Sequence, residues 1–263
     1  MKLSVIIPSY KDPHLQKTID SLLENSVLGD DMEIVVVLDG YWPDTPIRND
    51  DRVKIVHLGK NRNMRGAINV GVRFARGKFI MRTDEHCMFA PGYDKELTDT
   101  CKNNWIMTAR RYFLDPEKWE IIKDKKPIDY EKLKPQDLGE GLFKWMGTRW
   151  NSRTKERRDI MIDETMAMQG SMWIMRKQWW RKVIRKLDQR YGPMYQDSHE
   201  MQFKTWKAGG KLMLNKNTWF AHKDYQFPRT HNHGRKDYAE GMKYSYEKWA
   251  DYYEKEIRPR WEI

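Results

Sequence analysis

Hydrophobic residues in the first half of the chain alternate between short β-branched runs and segments with helical spacing. The predicted buried strands are residues 3–7, 33–38, 53–58 and 78–82. The predicted helices are residues 13–25 and 63–76, the second closed by Gly77 as its C-cap. This order of elements is typical of an open, mostly parallel α/β sheet, in which ligands bind beyond the carboxyl ends of the strands.

The second half of the chain has a weaker pattern. Residues 112–160 are rich in Lys, Glu, Asp and Trp and have little periodicity, so we expect a variable insertion or an excursion across the sheet. The predicted elements beyond it are helices at 178–187, 197–207 and from Tyr238 onward, and strands at 211–214 and 218–221. A polar segment with Pro228 and Gly234 predicts a mobile loop. We therefore divide the chain into a domain at 1–225 and a loop with a helical tail at 226–263.

The charge balance favours an anionic partner. Lys and Arg outnumber Asp and Glu by 49 to 38 in 263 residues, a net charge of +11. Such a surface attracts nucleic acid, an anionic membrane or a diphosphate donor, although a basic soluble protein with mixed charges is an equally simple interpretation. Cys87 and Cys101 have no metal or redox spacing, and no apolar run is long enough to span a membrane. These features predict a cytoplasmic enzyme, in the host cytoplasm if the chain is viral.

Asp84 and His86 are the first candidates for chemistry, because they follow a predicted buried strand at once. Side chains two residues apart in an extended segment point the same way, so both can reach one ion. A carboxylate with an imidazole suits Mn²⁺, with Mg²⁺ as the alternative. The simpler interpretation is a solvated turn in which the histidine is incidental.

Four motifs place these residues in a wider context. They are Ser-Val-Ile-Ile-Pro-Ser-Tyr at 4–10, Val-Val-Val-Leu-Asp-Gly at 35–40, Gly-Ala-Ile-Asn-Val-Gly at 66–71, and Gly-Lys-Phe-Ile-Met-Arg-Thr-Asp-Glu-His at 77–86. Their order and approximate spacing resemble family-2 glycosyltransferases, which implies a GT-A fold: a Rossmann-like, mostly parallel sheet with flanking helices and here a C-terminal helical extension. The Asp-x-His motif is closest to the polypeptide N-acetylgalactosaminyltransferases. The blocks at 168–174 and 197–210 are also similar to those enzymes.

The resemblance implies a donor site for a UDP-sugar. Pro8, Ser9 and Tyr10 would border the base, and Asp39 would contact the base or the ribose. Gly170 lies in the block similar to the Gly-Gly-Leu-Phe stretch of the family and would also line the donor site. Arg65 is a candidate phosphate ligand, with an exposed helix arginine as the alternative.

The resemblance also implies a complete metal site and a catalytic carboxylate. Asp84, His86 and His222 would hold Mn²⁺ (or Mg²⁺) against the diphosphate, with His231 and His233 as rivals for the third position. Asp197 and Glu200 begin a predicted helix, where inverting family-2 enzymes place their general base and retaining relatives bind donor and acceptor. Basic residues near the loop would add positive charge on its closure; these are Lys223, Arg229 and Arg235.

The sequence therefore predicts a hexosyl- or N-acetylhexosaminyltransferase that uses a UDP-sugar. We expect the insertion at 112–160 to face the acceptor. Lys, Arg and Trp are frequent within it from Lys118 to Arg158, which suggests a nucleic-acid acceptor, most specifically a hydroxymethylated pyrimidine of phage DNA. A cell-envelope glycan, a peptide or a small molecule is the alternative acceptor. A non-catalytic nucleic-acid-binding module is the alternative class. A nucleotidyltransferase is disfavoured because residues 8–12 lack its glycine-rich loop.

Overall fold

A computed structural model describes residues 1–193, 197–224 and 234–263. The elements of the first half are β1 (Leu3–Ser9), α1 (Leu15–Asn25), β2 (Met32–Asp39), β3 (Val53–Leu58), α2 (Asn63–Phe74), β4 (Phe79–Thr83), β5 (Cys87–Phe89) and α3 (Tyr93–Thr100). Those of the second half are β6 (Trp105–Asp115), β7 (Glu120–Ile121), β8 (Glu131–Asp137), β9 (Phe143–Arg149), α4 (Asn151–Glu156), β10 (Ile162–Glu164), β11 (Met172–Arg176), α5 (Lys177–Trp179), α6 (Asp197–Lys207), β12 (Lys211–His222), α7 (Arg235–Tyr252) and α8 (Arg258–Arg260).

The predicted α/β sheet is confirmed. Its strand order is β10-β12-β6-β11-β4-β1-β2-β3, with β5 and β7 paired outside this path. β1 pairs in parallel with β2 and β4, and β2 pairs in parallel with β3. Every residue of β1 and β2 is buried, as expected of strands covered on both faces. The predicted strand at 53–58 has the observed bounds, and the other three differ by one or two residues at their ends.

The second half differs from the prediction in three elements. The two strands predicted at 211–214 and 218–221 are one strand, β12, whose register shifts between Asn215 and Trp219. The helix predicted at 178–187 is instead the short α5 followed by a π-helical turn at Trp180–Ile184. The terminal helix begins at Arg235 rather than Tyr238.

Gly77 does not cap α2, which ends at Phe74 with Ala75 in the C-cap position at φ −58°. The glycine is required for a different reason, since a Cβ there would lie 2.5 Å from the backbone nitrogen of Ser4. A close backbone approach, and not a left-handed turn, thus explains this residue.

The weakly patterned stretch at 112–160 is ordered. It contains the end of β6, the strand β7, the antiparallel hairpin β8–β9 and α4. Trp145 of this hairpin is 1% exposed and donates through Nε1 to the carbonyl of Ser245 on α7 at 3.2 Å. The hydroxyl of Tyr253 likewise donates to the carbonyl of Leu133 at 2.8 Å. The C-terminal helices therefore pack on the hairpin.

No helix within these described ranges is long and apolar enough to cross a bilayer. The predicted boundary at 225 and most of the predicted loop, with His231 and His233, fall in residues 225–233, outside the described part of the chain, whereas Gly234 is the N-cap of α7.

Gly71 on α2 provides a test of how tightly the helix packs on the sheet. A Cβ at this position would lie 2.4 Å from Cγ2 of Ile6 and 3.2 Å from Cγ2 of Val37. We expect Gly71→Ala to destabilise the protein, because overpacking of about 1–3 kcal/mol exceeds the gain of about 1 kcal/mol in helix propensity. Thermal unfolding should show a fall in Tm of about 2–6 °C.

Gly59 is the matched control, because nothing lies within 4 Å of a Cβ built there. Gly59→Ala should leave Tm nearly unchanged. A Tm for Gly71→Ala at or above that of the wild type would contradict the close packing of α2.

Candidate active site

Asp84, His86 and His222 meet at the carboxyl edge of the sheet. Asp84 directly follows β4, and its backbone nitrogen donates to the carbonyl of Ser171 at 3.0 Å. His222 is the last residue of β12 and lies opposite Cys87 in the antiparallel pair with β5. This pairing brings a histidine from near the end of the sheet against the Asp-x-His segment, 136 residues earlier in the chain.

The three side chains form a compact cluster. Their ligand atoms lie within 4.8 Å of one another. Nε2 of His222 lies 3.1 Å from Oδ2 of Asp84 and 3.2 Å from Nε2 of His86. One carboxylate and two imidazoles at these distances fit a divalent ion such as Mn²⁺.

Asp12 orients one of the histidines. Its Oδ2 lies 2.6 Å from Nδ1 of His86, and the residue is 6% exposed. A carboxylate at Nδ1 favours the tautomer with the proton on that nitrogen, which directs the lone pair of Nε2 toward Asp84 and His222. Sequence reasoning missed Asp12, and the available signal was its position shortly after the first buried strand.

Arg82 fixes the charge of Asp84. Its Nη2 lies 2.5 Å from Oδ1 of Asp84, while Oδ2 faces His222. Burial alone would raise the pKa of Asp84, but Arg82 and the hydrogen bond with His222 outweigh it and hold this pKa well below its usual range. The carboxylate is therefore ionised at neutral pH. Arg82 was also missed by sequence reasoning, because it reads as an ordinary strand residue.

The segment after β1 is tied to the same edge. Pro8 and Ser9 end β1, and the backbone nitrogen of Tyr10 donates to both carboxylate oxygens of Glu85, at 3.0 and 3.2 Å. Ser9 Oγ is hydrogen-bonded to the hydroxyl of Tyr41, which follows β2. The predicted base-binding residues thus lie between the ends of β1 and β2, beside the Asp84 segment.

Asp39 ends β2 and is 3% exposed. Its Oδ1 accepts from the backbone nitrogen of Arg62 at 2.6 Å, so part of its role is to bind the start of α2. The second part, contact with a base or ribose, remains a proposal.

Arg65 and Glu200 occupy a different place from the one predicted. Both side chains are fully buried and form an ion pair. Glu200 also forms an ion pair with Lys204, whose Nζ lies 2.6 Å from Oε1. The Arg65 guanidinium lies 4.8 Å from the centre of the Tyr191 ring. Arg65 is therefore not an exposed helix arginine. This closed pair does not support a phosphate contact for Arg65 or a catalytic role for Glu200.

Asp197 and Gly170 lie together near the cluster of Asp84, His86 and His222, called the metal cluster below. A Cβ at Gly170 would lie 3.0 Å from each carboxylate oxygen of Asp197. Gly170 precedes Ser171, whose carbonyl accepts from the backbone nitrogen of Asp84, so Gly170 and Asp197 form a wall beside Asp84. Asp197 is 4% exposed, and its Oδ2 has no hydrogen-bond partner among the described residues. A buried carboxylate oxygen of this kind is well placed to accept a hydrogen bond from a ligand.

Of the three basic residues predicted near the loop, the structure describes the side chain of Lys223. Lys223 is 4% exposed, and its backbone nitrogen donates to the carbonyl of His86 at 3.3 Å. Arg229 lies outside the described residues, as does the side chain of Arg235. Asp224 adds a carboxylate 3.7 Å from Nδ1 of His222 and 3.2 Å from the Arg111 guanidinium, a contact that sequence reasoning missed.

A mixed, mostly parallel sheet of this order, with a carboxylate and two imidazoles at the carboxyl ends of its strands, has the architecture of the GT-A fold. Residues 4–184 match glycosyl transferase family 2, and the chain belongs to that family.

Relatives and solved structures agree with this placement. The chain is 24% identical to polypeptide N-acetylgalactosaminyltransferase 4 of Mus musculus over 98% of its own length and 45% of that protein. It is 28% identical to the uncharacterized glycosyltransferase EpsJ of Bacillus subtilis (strain 168) over 62% of its length and 51% of that protein. The crystal structure of GalNAc-T7 with UDP, GalNAc and Mn²⁺ superposes with a TM-score of 0.75 at 16% identity, over 96% of this chain and 50% of that one. The chain thus spans about half the length of the proteins it matches.

Asp12→Asn tests the orientation of His86. We expect Mn²⁺ affinity to fall by about tenfold or more, because the amide removes the charge that fixes the Nδ1 proton while keeping the shape of the side chain. Isothermal titration of Mn²⁺ measures this without any sugar donor. Asp20→Asn, on the exposed side of α1, is the control and should bind Mn²⁺ normally. Equal affinities for the two variants would show that Asp12 does not act on the metal site.

Proposed function

We propose that this chain transfers a sugar from a UDP-sugar to an acceptor hydroxyl, with Mn²⁺ held by Asp84, His86 and His222. The observation that carries the proposal is the convergence of these three side chains at the carboxyl edge of a family-2 fold. The structural relative in complex with UDP, GalNAc and Mn²⁺ supports the choice of donor and metal. When bound, the ion supplies positive charge against the departing diphosphate.

The protein's own residues prepare this site. Arg82 keeps Asp84 ionised while leaving Oδ2 directed at the cluster. Asp12 holds the His86 ring with Nε2 directed inward. Because these groups are fixed before any ligand arrives, the site pays little reorganisation on binding.

The nucleoside is proposed to lie against the ends of β1 and β2. Pro8, Ser9 and Tyr10 would contact the base, and Asp39 would reach the base or the ribose. A cavity of about 490 Å³ opens beside this edge, with Lys11, Tyr41 and Trp42 in its lining.

We assign the sugar and the acceptor hydroxyl to the wall formed by Gly170 and Asp197. Glycine at 170 leaves room that any side chain would fill, directly against the Asp197 carboxylate. In an inverting reaction Asp197 would deprotonate the acceptor; in a retaining one it would hold donor or acceptor. The anomeric configuration of the product distinguishes these two roles.

For the acceptor we retain a polyanion, in its sharpest form a hydroxymethylated pyrimidine in phage DNA. The support for this is the net charge of +11. The Lys118–Arg158 stretch contributes less than its composition suggests, because Trp145 is in the core and Arg157 is paired with Asp163 at 2.8 Å. A panel with a glycan, a peptide and a small-molecule acceptor tests the alternatives.

The central test is hydrolysis of a UDP-sugar panel with Mn²⁺ in the absence of acceptor. We expect turnover of at least one donor, loss of turnover with EDTA, and a fall of about 10²-fold or more for Asp84→Asn, because that variant loses a ligand charge. Asp30→Asn, exposed before β2, is the charge-matched control and should turn over normally. Absence of both binding and turnover for every nucleotide sugar would refute the proposal.

Asp197→Asn and Glu200→Gln, both on α6, are expected to affect different properties: the first the turnover rate, the second the free energy of unfolding. Asp197→Asn should lower kcat by about 10²-fold or more, with Tm nearly unchanged, since its Oδ2 has no partner to lose among the described residues. Glu200→Gln should instead destabilise the fold by about 3–5 kcal/mol, because it leaves Arg65 buried beside a neutral group.

Thermal unfolding and donor hydrolysis, measured on both variants, check this assignment. Loss of stability in Asp197→Asn with normal turnover per folded molecule would give that residue a structural role.

A further inference from the structure

A strongly basic segment lies at the edge of the sheet opposite the candidate active site. Residues 176–186 contain six Lys or Arg and no carboxylate. Strand β11 begins beside Asp84 and runs antiparallel to β4, so that Arg176 lies opposite Phe79 at the amino end of β4. The backbone nitrogen of Lys177 then donates to the carbonyl of Lys78 at 2.8 Å. The segment therefore starts a full strand length away from the metal cluster.

Two neighbouring clefts of about 390 and 550 Å³ border this segment. The first cleft is lined by Arg76, Gly77, Lys78, Arg176, Lys177, Gln178 and Arg181. The charged residues that line the second are Lys182, Arg185, Lys186, Asp188, Lys204 and Lys207. Asp188 is already paired with Arg190 at 2.7 Å. Arg181 of the first cleft and Lys182 of the second are consecutive in the chain, so adjacent residues line the two clefts.

Four of the lining cations are used within the fold. Arg76 pairs with Glu33, Lys204 pairs with Glu200, Lys177 donates to the carbonyl of Ala75, and Arg176 lies over the ring of Phe79. The remaining six we call the basic strip: Lys78, Arg181, Lys182, Arg185, Lys186 and Lys207. All six are exposed, and none has a carboxylate partner among the described residues.

The fold holds this strip outward. Trp179 and Trp180 are buried, and Trp180 stacks on Trp173 with ring centres 5.8 Å apart. The two buried tryptophans and the π-helical turn at Trp180–Ile184 fix the backbone, so that the neighbouring cations of the segment point toward solvent. An ordinary solvated face looks different: on α7, Lys236 and Lys243 each face a glutamate four residues away.

We propose that the basic strip binds the phosphate backbone of a nucleic acid without reading its sequence. Six cations that border recessed clefts, without a carboxylate partner among the described residues, suit a chain of phosphate charges. The aromatic residues beside the clefts are buried, so base stacking makes no contribution. An anionic membrane fits less well, since surface-binding segments also need exposed large apolar side chains, and neither cleft is lined by one.

This surface goes beyond the proposed transferase activity and needs neither donor nor metal. Where the acceptor is carried by the same polymer, binding at the strip raises the effective concentration of its hydroxyls at the distant site.

The test is fluorescence anisotropy of a labelled DNA duplex of about two helical turns, titrated in EDTA over a range of salt concentrations. The strip variant carries Lys182→Gln, Arg185→Gln and Lys186→Gln. The control variant carries Lys236→Gln, Lys243→Gln and Lys255→Gln, which removes three charges from residues that are paired with carboxylates on the C-terminal helices.

We expect the strip variant to bind DNA at least tenfold more weakly, with a salt slope reduced by about 2.7, while the control changes by about twofold or less. Its hydrolysis of UDP-sugar should equal that of the wild type, which separates this proposal from the transferase itself. Equal losses in both variants, or no DNA binding by the wild type, would overturn it. Tighter binding to phosphatidylserine vesicles than to DNA would overturn the choice of nucleic acid.

Discussion

The antiparallel strand β11, inserted between β4 and β6, is the constraint on which both edges of the molecule depend. It joins the parallel first half of the sheet to the second half, since it pairs with β4 on one side and β6 on the other. At one end, Ser171 is hydrogen-bonded to Asp84 and Gly170 contacts Asp197. At the other end, Arg176 leads into the basic strip. One strand thus sets the distance between the cluster of Asp84, His86 and His222 and the basic strip.

Two buried arginines each form an ion pair with a carboxylate, and the two pairs have different consequences in this fold. Arg65 and Glu200 have no exposed surface, and Lys204 adds to the pair, so its geometry is closed. Arg82 is equally buried but contacts one oxygen of Asp84 and leaves the other directed at His222. The first pair links α2 to α6, whereas the second leaves one carboxylate oxygen facing the two histidines. Burial and charge alone do not distinguish the two pairs. The difference is that one carboxylate oxygen of Asp84 faces the histidines.

The sequence predicts those features that depend on neighbours in the chain. Short runs rich in β-branched and other apolar residues identified the four strands of the first half, and the i, i+2 spacing after β4 identified Asp84 and His86. Long-range contacts were harder: Asp12 reaches His86 across 74 residues, and no spacing rule anticipates it. The hairpin at 131–149 was missed because its residues alternate irregularly between buried and exposed, while Trp145 owes its burial to α7. The ion pair of Arg65 with Glu200 could not be anticipated for the same reason, since the two residues lie 135 positions apart in the chain.

Two of the cations at the sheet edge opposite the candidate active site are stabilised by a helix dipole, whereas others there are not. α6 runs from Asp197, near the metal cluster, to Lys207, so its carboxyl end lies at the opposite edge. Lys204 and Lys207 occupy its last turn, where cations are favoured by the partial negative charge of the helix end. Lys78 precedes β4, and Arg185 and Lys186 follow the π-helical turn, so none of these three lies in the last turn of a long helix. Their charge carries no comparable local compensation, and a polyanionic partner would supply it.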